Sequence, residues 1–123
     1  SDQRFKKNLE PVGEDALSRV MQLKPVSYLL KTDEYKNFNF PAFRQYGFIA
    51  QDLEKVFPTL VENGSHPAED KNAAELKFKS VNYIGLIPVL TKAIQEQQER
   101  LKKKKKQNEL LIKRLEKLEK DNK

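Results

Sequence analysis

Ser1 and Lys6 are the residues of this sequence whose types could do chemistry together. A serine hydroxyl is a weak nucleophile until a base takes its proton, and a lysine can be that base only when burial lowers its pKa by several units. Five positions apart in an extended segment, the two side chains fall on opposite faces, so a bend or a second subunit has to bring them together. A serine and a lysine at this spacing also occur by chance in almost any chain. No Ser/His/Asp set can be assembled, because His66 is the single histidine. The paired carboxylates Asp2 with Glu10, and Glu14 with Asp15, read more simply as a charged terminus and the first turn of a helix. With no cysteine and only His66, in a polar loop, no metal ligand set is available and no cofactor is expected.

The elements that must position these residues are bounded by composition. The chain has 123 residues, 37% of them hydrophobic, with a mean hydropathy of -0.80, too polar for one compact globule. Part of the chain must find its core outside itself. No apolar run approaches the roughly 18 residues that span a bilayer, and no charged stretch leads into an apolar one, so neither membrane insertion nor a signal peptide is supported. The net charge of +6 is concentrated in "RLKKKKK" at 100–106, where six of the 24 basic residues lie; the remaining 18 balance 18 acidic residues. Such a run reads first as a solvated helix face. Without a phosphate loop or interleaved aromatics, nucleic acid is the weaker partner.

Residues 1–12 lack a helix period and read as an extended segment ending at Pro11. "GEDALSRVMQLKP" places Ala16, Leu17, Val20, Met21 and Leu23 on one face of a short helix, with acidic residues in its first turn and a proline past its end. "VSYLL" at 26–30 reads as a strand. The polar, aromatic-bearing stretch at about 32–45 reads as a projecting excursion or hairpin. A strand at 46–50 and a helix at about 51–56 follow, with Leu53 and Val56 inward and Pro58 as the stop. A turn-rich loop at 62–75 leads to an edge strand at 76–81. The expected fold is α+β: a small mixed head over 1–81, then a long helix over 82–121.

That helix carries a heptad seam. Ile87, Ile94, Leu101, Asn108 and Leu115 take the a positions; Leu90, Gln97, Lys104, Leu111 and Leu118 take the d positions. The apolar ends should associate well and the polar middle weakly. In parallel copies Arg100 faces Lys105, a repulsive pair, while Arg114 faces Glu119, an attractive one. Asn108 would set the register. Lys102 to Lys106 should make the rod self-repelling at low salt, the Debye length being about 8 Å at physiological ionic strength. A rod on the order of 50 Å long cannot bury this seam by itself.

Four blocks, "SDQRFKKNLEPV", "ALSRVMQLKPVSY", "RQYGFIAQDLEKVFPTLV" and "VNYIGLIPVLTKAIQEQQ", stand in the order and spacing of a known family. Over about residues 1–98 the sequence resembles the intramolecular chaperone auto-processing domain, the self-cleaving C-terminal domain of phage endosialidases, tailspikes and neck appendages, found also in myelin regulatory factor. The resemblance implies that Ser1 follows the self-cleavage bond and is the nucleophile, with Lys6 the candidate general base. Asp2 and Arg4 take positioning roles and Lys7 is a bystander. Acyl transfer at the bond before Ser1 would make the present chain the released product. The resemblance further implies a homotrimeric helical bundle that registers an upstream β-rich fibre of its own precursor, assembled in a phage host's cytoplasm or displayed at a cell surface. Projecting arms that grip the fibre would suit residues 32–45. Two other functions remain open: a non-catalytic trimerisation and capping module, and a basic coiled coil that binds polyanions through 100–106.

Overall fold

The computed structural model describes residues 1–68 and 72–122. Its elements run in the order α1 (Ala16–Val20), β1 (Val26–Tyr28), β2 (Gln45–Gly47), α2 (Ala50–Glu54), β3 (Val61–His66), β4 (Leu76–Val81) and α3 (Tyr83–Asp121), with 3-10 turns at Gln3–Phe5, Lys36–Phe38 and Pro58–Leu60. This is a mixed α+β chain of short elements with one long C-terminal helix. Among the described residues no helix is long and apolar enough to cross a membrane. The chain divides into two compact units, Met21–Ile87 and Ser1–Val20 with Pro88–Lys123.

The unit Met21–Ile87 holds two antiparallel pairs. In one, Val26 opposes Gly47 and Tyr28 opposes Gln45; in the other, Val61 opposes Val81 and His66 opposes Leu76. Its buried side chains are Leu53, Phe57 and Leu86. Leu53 points inward as its spacing predicts, whereas Phe57, beyond the end of α2, does the work expected of the half-buried Val56. Pro58 then opens a 3-10 turn, since its missing N–H is not needed there. Gly47 is required by close approach: a Cβ would meet the hydroxyl of Tyr83, which accepts the Phe48 N–H at 3.1 Å. Asn82 starts α3 by accepting the Gly85 N–H at 3.0 Å, while its own N–H donates to the Leu60 carbonyl at 2.8 Å.

Two expectations change here. Residues 62–66 are strand β3, not loop; the turn-forming Gly64 pairs with Phe78, whose ring would lie 3.0 Å from a Cβ at that position. The glycine makes room for the cross-strand aromatic, a pairing that composition hides. Of the remaining loop, 69–71 lie outside the described residues. The first helix stops at Val20, so Met21 is 74% exposed rather than inward.

In the unit formed by Ser1–Val20 and Pro88–Lys123, Ala16 and Ala93 are the buried residues. Glu96 on α3 accepts the Ala16 N–H at 3.1 Å, a donor it shares with the Gly13 carbonyl at 3.3 Å. Lys92 donates to the Glu14 carboxylate at 3.1 Å, and Ser18 to the Asp15 carbonyl at 2.9 Å. From Gln97 through Asn122 every residue of the chain is exposed.

Candidate functional site

The N-terminal residues are bent rather than extended throughout. Asp2 caps the 3-10 turn Gln3–Phe5, its carboxylate accepting the Arg4 N–H at 2.9 Å. The Arg4 guanidinium clamps the same carboxylate through Nε at 3.2 Å and Nη2 at 2.9 Å. These bonds from the Arg4 side chain, and then from its backbone N–H, hold the Asp2 carboxyl below its ordinary pKa, and the Arg4 guanidinium is raised in turn. Both groups are exposed, so the clamp orders the turn more than it stabilises the fold. Phe5 N–H and Lys6 N–H close the turn onto the carbonyls of Asp2 and Gln3.

The bend has a consequence at Ser1. Lys6 Nζ donates to the Ser1 carbonyl oxygen at 3.0 Å across a separation that an extended segment would hold apart. The ammonium thus reaches Ser1 through its backbone oxygen, and Lys6 is solvent-exposed. Asp2 and Arg4, the two residues expected to position the site, bond to each other in the turn that precedes Lys6. Lys7 makes none of these bonds. Asn8 was not anticipated: its φ of 53° lies in the left-handed region and turns the chain after Lys7. An asparagine tolerates that conformation better than most residues, and this was the one local signal available.

The helical seam is the second feature. Leu90 is 41% exposed, Ile94 66%, Leu101 58%, Leu111 54%, Leu115 60% and Leu118 58%. Ile87, the last residue of the other unit, is likewise exposed. Gln97, Lys104 and Asn108 continue the same register, all solvent-exposed. Among the described residues this apolar row on one helix face stays exposed.

In the unit Met21–Ile87 the stretch 32–45 is bracketed by the paired strands β1 and β2. Its rings form a cluster: Phe38 stacks on Phe40 at 5.2 Å, Tyr35 meets Phe38 edge-on at 5.9 Å, and Phe38 lies 4.6 Å from the His66 imidazole. Lys79 joins Glu54 at 2.9 Å and Asn63 at 3.0 Å in a separate polar contact.

Comparison with known proteins bears on family and fold. The model of a peptidase family described as chaperone of endosialidase matches residues 1–62, half of the chain and the part that contains Ser1, Asp2, Arg4 and Lys6. Among curated proteins none matches significantly. A solved crystal structure of a novel intramolecular chaperone superposes with a TM-score of 0.59 at 20% identity, covering 80% of this chain and 99% of its own. At that identity the likeness is one of fold.

Proposed function

This chain belongs to the chaperone of endosialidase family, and from that premise we propose that it is an intramolecular chaperone of its own precursor, which trimerises through α3, registers an upstream β-rich fibre, and releases itself by cleavage before Ser1. The observation that carries the reading is the approach of Lys6 to Ser1 within one bend, inside the matched stretch. Interchain β pairing has a high registration and loop-closure cost. Chains already joined at their C-termini meet at an effective concentration of about millimolar, which lowers that cost.

In the cleavage step, the Ser1 hydroxyl attacks the carbonyl carbon of the residue before it while Lys6 accepts the proton. The carbon–nitrogen bond breaks, the Ser1 nitrogen takes up that proton as the leaving amine, and water hydrolyses the ester left on the hydroxyl. Each chain turns over once, in cis. Lys6 can act as the base only when desolvated, and its exposure in the single chain means that upstream residues or neighbouring copies supply the burial. That same exposure, with Nζ on the carbonyl rather than the hydroxyl, favours a second reading: an assembly module without cleavage activity.

Expression behind the natural upstream segment separates the two. Wild type should yield a fragment beginning at Ser1 by intact mass, while Ser1→Ala and Lys6→Ala stay whole; loss of a general base alone costs roughly 10²–10⁴-fold in rate. An intact wild type that still forms trimers supports the assembly module and refutes the cleavage.

A further inference from the structure

The cationic stretch of α3 is not distributed evenly around the helix. In the heptad register Lys104 occupies a d position on the exposed seam, Arg100 and Lys105 flank it at g and e, and Lys102, Lys103 and Lys106 point away. One turn on, Asn108 occupies the next a position. The seam therefore runs Leu101, Lys104, Asn108, Leu111: two consecutive layers that offer N–H donors, bracketed by leucines. Among the described residues the one ion pair in 100–106 joins Lys102 to Glu99 at 3.7 Å, leaving Arg100, Lys104 and Lys105 without a carboxylate. The acidic residues nearest along the chain are Glu99 and Glu109.

We propose that, in the three-chain assembly, the Lys104 and Asn108 layers form an internal binding site for a small multivalent oxyanion of the phosphate or sulfate class. The site rests on the trimer reading given above. Three parallel copies bring three Lys104 ammoniums and three Asn108 carboxamides to one axis, separated along it by about 6 Å. Helical side chains lean toward the N-terminus, so Asn108 leans into the Lys104 layer. The lysine stem is flexible enough to bring its three donors inward. A tetrahedral oxyanion lying on the axis presents three equivalent oxygens to three equivalent sets of donors. It also supplies the negative charge that neither the seam nor its flanks contain between Arg100 and Asn108. Without it, the leucine layers on either side hold like charges together, and Arg100 facing Lys105 adds to the repulsion. A macromolecular polyanion fits less well, because it would use the outward Lys102, Lys103 and Lys106 and has no need of a seam position.

The test uses the full chain at constant ionic strength, with sodium chloride replaced stepwise by millimolar inorganic phosphate or sulfate, and follows association by sedimentation equilibrium. At ten times the anion's dissociation constant, the apparent three-chain association constant should rise about tenfold, which lowers the free monomer by about twofold. Lys104→Leu should associate more tightly than wild type in chloride and lose the anion response. Lys103→Gln with Lys106→Gln should keep it. The proposal is overturned if wild type forms trimers that ignore the anion, if Lys104→Leu responds as wild type does, or if the response disappears with the outward lysines, which would mark a diffuse polyanion surface. A chain that stays monomeric in every buffer overturns this site together with the seam-mediated trimer, and only that outcome reaches the trimer reading.

Discussion

Replacing Leu111 and Leu115 together by alanine tests whether the exposed row on α3 is an interface. Full burial of a leucine side chain is worth about 1.5–3 kcal/mol, but these two are already partly covered, remaining 54% and 60% exposed in the single chain. About half of the transfer gain is left to collect on association, roughly 1–1.5 kcal/mol per residue. The double substitution then removes about 2–3 kcal/mol per chain, and about 6–9 kcal/mol from a three-chain assembly, which is about four to six powers of ten in the overall association constant. Alanine is the best helix former, so the isolated helix should not weaken and far-ultraviolet circular dichroism of the dissociated chain should be unchanged. The control is Leu110→Ala. Leu110 is 60% exposed too, yet it sits at a c position, off the seam. Sedimentation equilibrium over a wide concentration range should show the double variant dissociating while Leu110→Ala associates like wild type. Equal weakening by both would mean that the row acts as a general greasy surface, and the heptad argument would fall.

Three further outcomes follow from the geometry. Gly47→Ala should destabilise the unit Met21–Ile87 by about 1–3 kcal/mol through overlap with the Tyr83 hydroxyl, and Tyr83→Phe should relieve part of the loss, so that in thermal melts the double variant is less damaged than the two single effects added. Glu96→Ala leaves the Ala16 N–H with only the longer bond to the Gly13 carbonyl at 3.3 Å and should cost about 0.5–1 kcal/mol, with faster hydrogen exchange at Ala16, while Glu96→Gln, which keeps an acceptor oxygen, should lose little. The Asp2 carboxyl should titrate below the ordinary aspartate value in a carbon-detected NMR titration. Because its folded pKa is depressed, the turn's preference is fully present above the unfolded value of about 3.9 and is lost as pH falls through the lower folded value, and Arg4→Ala should abolish the depression.

What the sequence discloses about the fold depends on the range of the forces involved. The long helix α3, the strand at 76–81 and inward Leu53 are periodic signals, set by neighbours within a few residues, and the structure keeps them. Gly64 misleads because its turn propensity is overridden by Phe78, which lies fourteen positions away in sequence and directly opposite in register. Phe57 enters the core from beyond a helix end, where no period applies, and Glu96 caps a helix eighty residues earlier. Each of these is decided by a tertiary partner that propensity does not see.

The candidate site is legible for the opposite reason. Its residues are conspicuous because the single chain leaves them unsatisfied. Lys6 is a cation with a backbone oxygen for a partner where its proposed chemistry needs burial. The seam leucines from Leu101 onward are more than half exposed where their spacing calls for a facing helix. Arg100, Lys104 and Lys105 are charges without carboxylates. A folded chain tolerates unmatched groups of this kind at a surface, where water screens charge and covers apolar area at modest cost. Selecting them at regular seven-residue intervals has no advantage for a monomer. Under the proposed function they are halves of sites, completed by copies of the same chain and by the segment that precedes Ser1, so abolishing assembly should abolish cleavage even with Ser1 and Lys6 untouched. A precursor carrying Leu111→Ala and Leu115→Ala that still cuts itself at the wild-type rate would show that each chain buries its own lysine.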